Sequence, residues 1–209
     1  NYVRLINGAF STKPTSEWEE PDPIPWQAVM GREGNIYETY DEFMEAEGHR
    51  DWPSIAVYFY RDEWIMGDIE YQQALFEEIY KHQYNPIIFY GQYGSNPRVG
   101  IPNMKLSMNH LFGKDEFPFD VLINTCKFSF QSLGAQTLEE LKLQDVPIVQ
   151  GYTIYMDEKS WAENPQGVTP LDVNLSISQP ELDGVIQGGV VACQTYDERG
   201  HYVYLPVKE

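Results

Sequence analysis

The chain has 209 residues, of which 42% are hydrophobic and 22% charged, a composition typical of a globular protein with a core of its own. Its 32 acidic and 14 basic side chains give a formal net charge of −18, which argues against nucleic acid and anionic membrane surfaces as partners because both attract clustered Lys and Arg. No apolar run approaches the roughly 20 residues that span a membrane, and the cysteines are too few for a disulfide framework.

Residues 1–50 differ in character from the rest of the chain. They begin with Asn1 rather than Met and carry no signal peptide, which indicates an internal cut from a longer protein. Prolines punctuate an acidic stretch and predict an extended linker, whereas apolar residues at helical spacing over 37–46 predict a short helix. We therefore divide the chain into an irregular N-terminal extension, residues 1–50, and an α/β domain, residues 51–209. The cysteines, expected as reduced core thiols, indicate a cytoplasmic location.

A pattern of alternating strands and helices begins at residue 54. Residues 54–60 form a continuous β-favouring run, typical of a strand buried on both faces of a parallel sheet. Asp68 is suited to cap a helix over about 69–82 because its carboxylate can accept a backbone N–H. A second strand is predicted over 85–90.

The alternation continues to residue 150. A helix is predicted over 103–112, a third strand over 119–125, a short helix over 137–142 and a fourth strand over 146–150. Such alternation predicts an α/β fold with a parallel, doubly wound sheet, either Rossmann-like or like one layer of a periplasmic binding protein. After it, the segments on either side of the turn 197–200 predict a C-terminal β-hairpin.

The sequence lacks the common motifs of self-contained catalysis. No glycine-rich phosphate turn follows the first strand and no Walker A loop occurs, so neither a dinucleotide nor ATP is expected to bind by those routes. The nucleophile elbow of hydrolases and the H-E-x-x-H zinc motif are also missing. Four histidines show no spacing typical of metal ligands and are interpreted as surface or structural residues: His49, His82, His110 and His201.

One pair of carboxylates stands out. Glu181 and Asp183 lie two residues apart between Pro180 and Gly184, and in an extended chain their side chains face the same way. Such a pair is suited to hold a hard divalent cation or to accept a proton. The alternative is a Pro/Gly turn that carries two solvated acids.

Five short segments, taken in order, match one pattern. They are residues 55–61 with Trp64 and Gly67, residues 120–125 with Phe128, and residues 143–150, 169–172 and 180–184. Together they resemble the large subunit of the cobaltochelatase and magnesium chelatase family (CobN-like), and the match extends over residues 55–184. By this resemblance the chain is a fragment from the N-terminal half of such a subunit.

The resemblance implies a function for the intact subunit. It would bind a tetrapyrrole and take part in ATP-dependent insertion of a divalent metal, Co²⁺ or Mg²⁺, into a corrin or porphyrin ring, as in cobalamin biosynthesis. ATP would be bound by separate AAA+ motor subunits, which agrees with the missing Walker loop. The intact protein would then be a ligase-type metal chelatase subunit, and the fragment alone is expected to be inactive.

Metal insertion also implies roles for particular residues. It strips water from the ion and two protons from the pyrrole nitrogens, and carboxylates can serve both steps. With the resemblance as the guide, Glu181 and Glu63 are the expected catalytic residues and Asp183 the expected metal ligand.

The expected substrate-binding residues lie in the other matching segments. Arg61 is suited to pair with a propionate or amide side chain of the ring, although it can instead close the strand end against a nearby acid. Trp64 offers an aromatic face to a flat ring. Asn124 and Asp172 complete this group.

The sequence departs from the cobaltochelatase pattern at Glu63, where a His is common. The departure weakens the case for cobalt and favours a haem- or porphyrin-handling paralogue that removes or takes up metal. A further alternative is a non-catalytic ligand-binding module like half of a periplasmic binding protein.

Overall fold

A computed structural model describes residues 23–92, 96, 98, 100–113, 116–130, 139, 141–142 and 145–207. The strands in this part of the chain are β1 (Ala28–Met30), β2 (Ile36–Tyr37), β3 (Ser54–Tyr60), β4 (Asn85–Gly91), β5 (Val121–Asn124), β6 (Ile148–Ile154), β7 (Ile186–Tyr196) and β8 (Tyr202–Pro206). They form one eight-stranded sheet in the order β2-β1-β4-β3-β5-β6-β7-β8.

The α-helices connect these strands. They are α1 (Tyr40–Ala46), α2 (Arg61–Met66), α3 (Glu70–Lys81), α4 (Met104–Phe112) and α5 (Glu158–Glu163). A further helix, which we call α6, consists of the α-helical Pro170–Asp172, the π-helical Val173–Ser178 and the α-helical Gln179–Glu181. At the start of four of these helices a side-chain oxygen accepts a backbone N–H. The four accepting side chains are those of Thr39, Asn103, Asp157 and Thr169. Half of the residues of the helix predicted over 137–142 lie outside the described residues.

The five central strands confirm the predicted doubly wound sheet. Strands β4, β3, β5, β6 and β7 are parallel neighbours, which is the order 2-1-3-4-5 when these strands are numbered along the chain. The antiparallel pair of β7 and β8 confirms the C-terminal hairpin. At the other edge β1 pairs antiparallel with β2 and β4, so residues 28–37 of the expected extension are part of the sheet.

The interior is mostly apolar around β3 and β4 and contains more polar side chains around β5, β6 and α6. Strands β3 and β4 are almost wholly buried and pack aromatic side chains such as Phe59 and Phe89 into one large cluster. A smaller apolar cluster surrounds Tyr152, Ile154 and Cys193. Buried polar residues concentrate around β5, β6 and α6: Asn124, Thr125, Lys127, Gln150, Thr153, Asp172, Ser176 and Asp183.

The strand order creates a reversal between β3 and β5. The connection after β3 runs to β4 on one side, and the connection after β5 runs to β6 on the other. Ligands of such sheets bind at this point, outside the carboxyl ends of the strands. The β7–β8 hairpin reaches over this edge, because the backbone N–H of Tyr204 donates to Asp68 Oδ1 at 2.9 Å. Among the described residues no helix is long and apolar enough to cross a membrane.

Candidate functional site

Glu63 lies in the first turn of α2, just beyond the carboxyl end of β3. Its Oε2 is 2.8 Å from the hydroxyl of Tyr71 and accepts a 2.6 Å hydrogen bond from Nε2 of Gln72. The Tyr71 hydroxyl is also 3.0 Å from Thr125 Oγ1, which donates to the carbonyl of Tyr58 at 2.9 Å. Glu63 is therefore the first member of a row of hydrogen-bonding groups that runs into the core.

The two hydroxyls of this row have defined roles. The Tyr71 hydroxyl donates to Glu63 Oε2 and the Thr125 hydroxyl donates to the Tyr58 carbonyl, so each uses its single hydrogen. Burial, the largest influence, and the charge of Asp68 raise the pKa of Glu63 to about 8, against the lowering effects of Tyr71 and Lys127. Glu63 is accordingly a neutral carboxylic acid at pH 7.

Lys127 approaches the same edge from the end of β5. The residue is 4% exposed, and its Nζ donates to Thr153 Oγ1 at 2.8 Å and to the Tyr204 hydroxyl at 3.3 Å. The ammonium also lies 4.1 Å from the ring centre of Tyr155. Within the part of the chain that the structure describes, no carboxylate oxygen comes within 4.0 Å of Nζ. Burial lowers the pKa of Lys127 to about 8, although Asp172 and Glu63 act to raise it.

The backbone beside Lys127 is strained. Phe128 adopts a left-handed conformation with φ of 70°, which is uncommon for a bulky residue, and its N–H donates to Leu175 O of α6 at 2.8 Å. Such a conformation costs on the order of 1–3 kcal/mol and persists only where surrounding contacts hold it. The turn at Phe128 lets the chain leave β5 while Lys127 stays buried against β6.

Asp172 supplies a negative group near Lys127. It is fully buried in the first turn of α6, where Oδ2 accepts the Thr169 hydroxyl at 2.7 Å and Oδ1 accepts the Tyr155 N–H at 3.2 Å. The amino end of a helix carries a partial positive charge, which stabilises a negatively charged group placed there. Three ionisable residues from three elements thus lie at the end of the sheet where the parallel strands have their carboxyl ends, which we call its carboxyl edge. We call Glu63, Lys127 and Asp172 the edge cluster.

Two of the predicted substrate-binding residues hold the N-terminal part of the fold. Arg61 Nε donates to the carbonyl of Pro25 at 2.8 Å, and its guanidinium stacks 4.4 Å from the ring of Trp26. Trp64 Nε1 donates to Gly34 O at 3.3 Å and its ring stacks on Tyr90. Both side chains are used in internal contacts beside the edge cluster. Arg61 is paired with carbonyls rather than with the nearby acids considered from the sequence.

Asn124 is likewise used within the protein. Its Nδ2 donates to Gln150 Oε1 at 2.8 Å and to Cys126 O at 3.1 Å, and its Oδ1 accepts the Cys126 N–H at 3.2 Å. Because these contacts occupy both sides of the amide, they lock β5 to β6. The observed role is to shape the loop that carries Lys127.

The structure separates the carboxylate pair from the other candidates. Gln179–Glu181 is helical, so the extended geometry that would turn Glu181 and Asp183 the same way is not present. Glu181 is exposed, whereas Asp183 is buried, accepts the N–H of Phe130 and lies beside the amino ends of β6 and β7. This is the edge of the sheet opposite the edge cluster. Among the described residues no group of three or more His, Cys, Asp and Glu side chains could hold a metal ion.

Lys127, the centre of the edge cluster, was not predicted from the sequence. A signal was present, since Lys127 follows a buried parallel strand almost directly, and the carboxyl ends of parallel strands meet at one edge. In a chain with only 14 Lys and Arg, a cation at that place is informative. Tyr71 and Thr125 carry no such signal, because their hydroxyls meet only through the packing of α3 on the sheet.

Comparison with known proteins gives the family. The model of the CobN/Magnesium Chelatase family matches residues 1–209. The chain belongs to this family. It is similar to an uncharacterized protein of Methanocaldococcus jannaschii, with 32% identity over 181 residues, which is 81% of this chain and 14% of that protein.

The relatives that have a named activity are less similar to this chain in sequence. The aerobic cobaltochelatase subunit CobN of Pseudomonas aeruginosa is 24% identical over 172 residues, covering 81% of this chain and 13% of that protein. The catalytic subunit of cobaltochelatase from Mycobacterium tuberculosis has the same fold, with a TM-score of 0.68 and 21% identity over 99% of this chain and 16% of that chain. The chain thus spans only about one seventh of the length of the curated relatives that it matches.

Proposed function

We propose that this chain is part of the large subunit of a cytoplasmic, multi-subunit tetrapyrrole chelatase, and that its carboxyl edge faces the tetrapyrrole. The subunit would take part in ATP-dependent insertion of Co²⁺ or Mg²⁺ into a corrin or porphyrin ring, with ATP bound by AAA+ partner subunits. The observation that carries the proposal is the edge cluster, in which Glu63 and Lys127 have pKa values near 8 at the carboxyl edge of the sheet in a chelatase-family chain.

The edge cluster is suited to proton exchange. Metal insertion releases two pyrrole protons, and a useful acceptor or donor has a pKa close to the working pH. Near pH 8 both Glu63 and Lys127 are balanced between their protonated and deprotonated forms. Asp172 lies close enough to Lys127 to raise the pKa of the lysine and so favours its charged form. The cluster would take up a released proton without a large change in the surrounding structure.

The test is a titration of the full-length protein with protoporphyrin IX and with a metal-free corrin, followed by ring absorbance and Trp fluorescence. We expect saturable micromolar binding, with the dissociation constant raised about tenfold or more by Lys127→Met, which corresponds to about 1.4 kcal/mol. Glu181→Gln, an exposed acid at the opposite edge, is the matched control and should leave the dissociation constant unchanged. No binding of either ring by the full-length protein would overturn the proposal.

A second candidate is a paralogue that removes metal from a porphyrin or takes the loaded ring up. The observation that favours it is Glu63, which is a neutral, hydrogen-bonded acid. The cobaltochelatase pattern often has a histidine at this position, and an imidazole is a better ligand for Co²⁺ than a protonated carboxyl group. Incubation of the complete complex with metal-loaded and with metal-free rings separates the two directions. Loss of metal from the loaded ring, with no insertion into the free one, would favour removal.

A further inference from the structure

An open cleft of about 700 Å³ lies beside the edge cluster. One wall is the corner between α2 and α3, with Met66 and Asp68, and the other is the β7–β8 turn from Asp197 to Val203. The volume is within the range of pockets that bind small molecules, about 300–1,000 Å³. Asp68 connects the two features, because it lines the cleft and its charge acts on Glu63.

His201 lines the cleft and can present its outer ring nitrogen to a metal. Its Nδ1 lies 3.6 Å from Asp197 Oδ2, while Asp197 Oδ1 accepts the backbone N–H groups of both Arg199 and His201 at 2.8 Å. A carboxylate facing Nδ1 favours the tautomer with the hydrogen on that nitrogen, which leaves the lone pair on Nε2. Histidines that ligate metals commonly have such a carboxylate behind them. The side chain is 72% exposed, so Nε2 is accessible from solvent.

Two further side chains of the cleft, Met66 and Tyr202, offer apolar surface to a flat molecule. Met66 is 81% exposed, which is unusual for a large apolar side chain, and its thioether is a soft group that packs well against aromatic rings. Tyr202 is also exposed and lies against Tyr196, with ring centres 4.5 Å apart and a 2.6 Å hydrogen bond between the hydroxyls. The pair presents a fixed aromatic surface on the His201 side of the cleft.

We propose that this cleft binds a metal-loaded tetrapyrrole, with His201 Nε2 as an axial ligand of the metal and with Met66 and Tyr202 against the ring. One axial ligand needs no neighbouring His or Cys, so the proposal agrees with the scattered histidines of the sequence. It rests on the proposed function, since it assigns a second binding surface, selective for the loaded ring, next to the edge cluster. Asp197 is a positioning residue in this site.

The test is a titration of the full-length protein with iron(III) protoporphyrin IX and, separately, with metal-free protoporphyrin IX. For the iron ring we expect a Soret shift and an electron paramagnetic resonance signal of a nitrogen-ligated metal. His201→Ala should remove both and raise the dissociation constant at least tenfold, and added imidazole should restore the spectrum. Asp197→Asn should weaken binding of the iron ring by about 10-fold or more without changing binding of the metal-free ring.

The matched control is His82→Ala. His82 is exposed to a similar degree and also faces a carboxylate, Glu78 at 3.0 Å, but it lies on α3 and does not line the cleft. It should leave the spectrum unchanged. If both rings bind and His201→Ala changes neither the spectrum nor the affinity, the axial role is wrong while the proposed function stands. If neither ring binds, both proposals fall.

Discussion

The two halves of the sheet bury different kinds of side chain. Around β1, β3 and β4 the interior is apolar and aromatic, and residues such as Phe43 and Phe59 are completely buried. Around β5, β6 and α6 the interior contains a lysine and two aspartates. Burial of apolar area stabilises a fold, whereas burial of charge costs free energy unless it is paired. The first half therefore stabilises the chain, and the second half contains buried charged groups on which the proposed function depends.

The polar groups buried in the fold are of two kinds. Asn124 and Gln150 bond to each other and to nearby carbonyls, so their role is to fix the loop after β5. Glu63 and Lys127 instead have pKa values displaced toward 8, because burial disfavours their charged forms. A buried polar group with complete partners is structural, and one whose protonation is balanced near neutral pH is a candidate for function. The predictions that follow test this division.

The largest effect is expected in the apolar half, for Phe89→Ala. Phe89 is 1% exposed and packs edge-on against Phe112, with ring centres 5.0 Å apart. Removing the ring leaves a cavity in the main core, and we expect a loss of about 3–5 kcal/mol in the free energy of unfolding. Urea unfolding followed by Trp fluorescence measures it. A loss below about 1 kcal/mol would mean that the apolar half is not the stabilising one.

Asp172→Ala should cost less, about 2–3 kcal/mol, because it removes the acceptor of the Tyr155 N–H and the Thr169 hydroxyl and leaves Lys127 without a compensating charge. Asp172→Asn is the matched variant, since the shape is kept and only the charge is lost. We expect the pKa of Lys127 to fall further in both, measured by NMR titration of the lysine side chain. An unchanged lysine pKa in Asp172→Asn would contradict the assigned coupling.

The pH dependence of stability should report Glu63 and Lys127 directly. Between the ordinary carboxyl pKa of 4.5 and about 8, the unfolded chain has released the Glu63 proton while the folded chain keeps it, so stability falls as pH rises. Between about 8 and 10.5 the unfolded chain keeps the Lys127 proton that the folded chain has released, so this contribution rises. Each pKa unit corresponds to about 1.4 kcal/mol.

Variants separate the two contributions. Glu63→Gln should remove at least about 1.4 kcal/mol of the fall between pH 5 and 8, and it should be well tolerated at pH 7 because the neutral acid and the amide are alike in shape and charge. Lys127→Met should remove the rise in stability above pH 8 and leave the fall in stability between pH 5 and 8 in place. The measurement is the free energy of unfolding at intervals of pH, compared with the wild-type curve. A Glu63→Gln curve parallel to the wild type would show that Glu63 is ionised in the folded protein.

The parts of the fold that could be predicted are those with a local pattern. The run 54–60 gave β3 and the apolar spacing over 69–82 gave α3, within one residue of their observed bounds. Strands β1 and β2 were missed because three and two residues carry no periodicity. Strand β1 pairs with β4, about 60 residues further along the chain, and β2 pairs with β1.

The candidate site shows the same limit. Glu63 and Asp172 were chosen from the sequence, and both lie close enough to Lys127 to act on its pKa, which the sequence does not indicate. Whether a polar residue is free or already partnered is decided by tertiary contacts. For this reason Arg61 and Asn124, reasonable ligand-binding residues by type, proved to be bonded within the protein.

The smallest effect is expected at the opposite edge of the sheet, where Glu181 and Asp183 provide an internal comparison. Glu181 is exposed at the end of α6, so Glu181→Gln should change the free energy of unfolding by less than about 0.5 kcal/mol. Asp183 is buried and accepts the N–H of Phe130, so Asp183→Ala should cost about 1–3 kcal/mol. If this edge is structural, neither variant alters the dissociation constant for a tetrapyrrole. A tenfold weakening by Glu181→Gln, without loss of stability, would instead return that carboxylate to the ligand site and make the division between the two edges wrong.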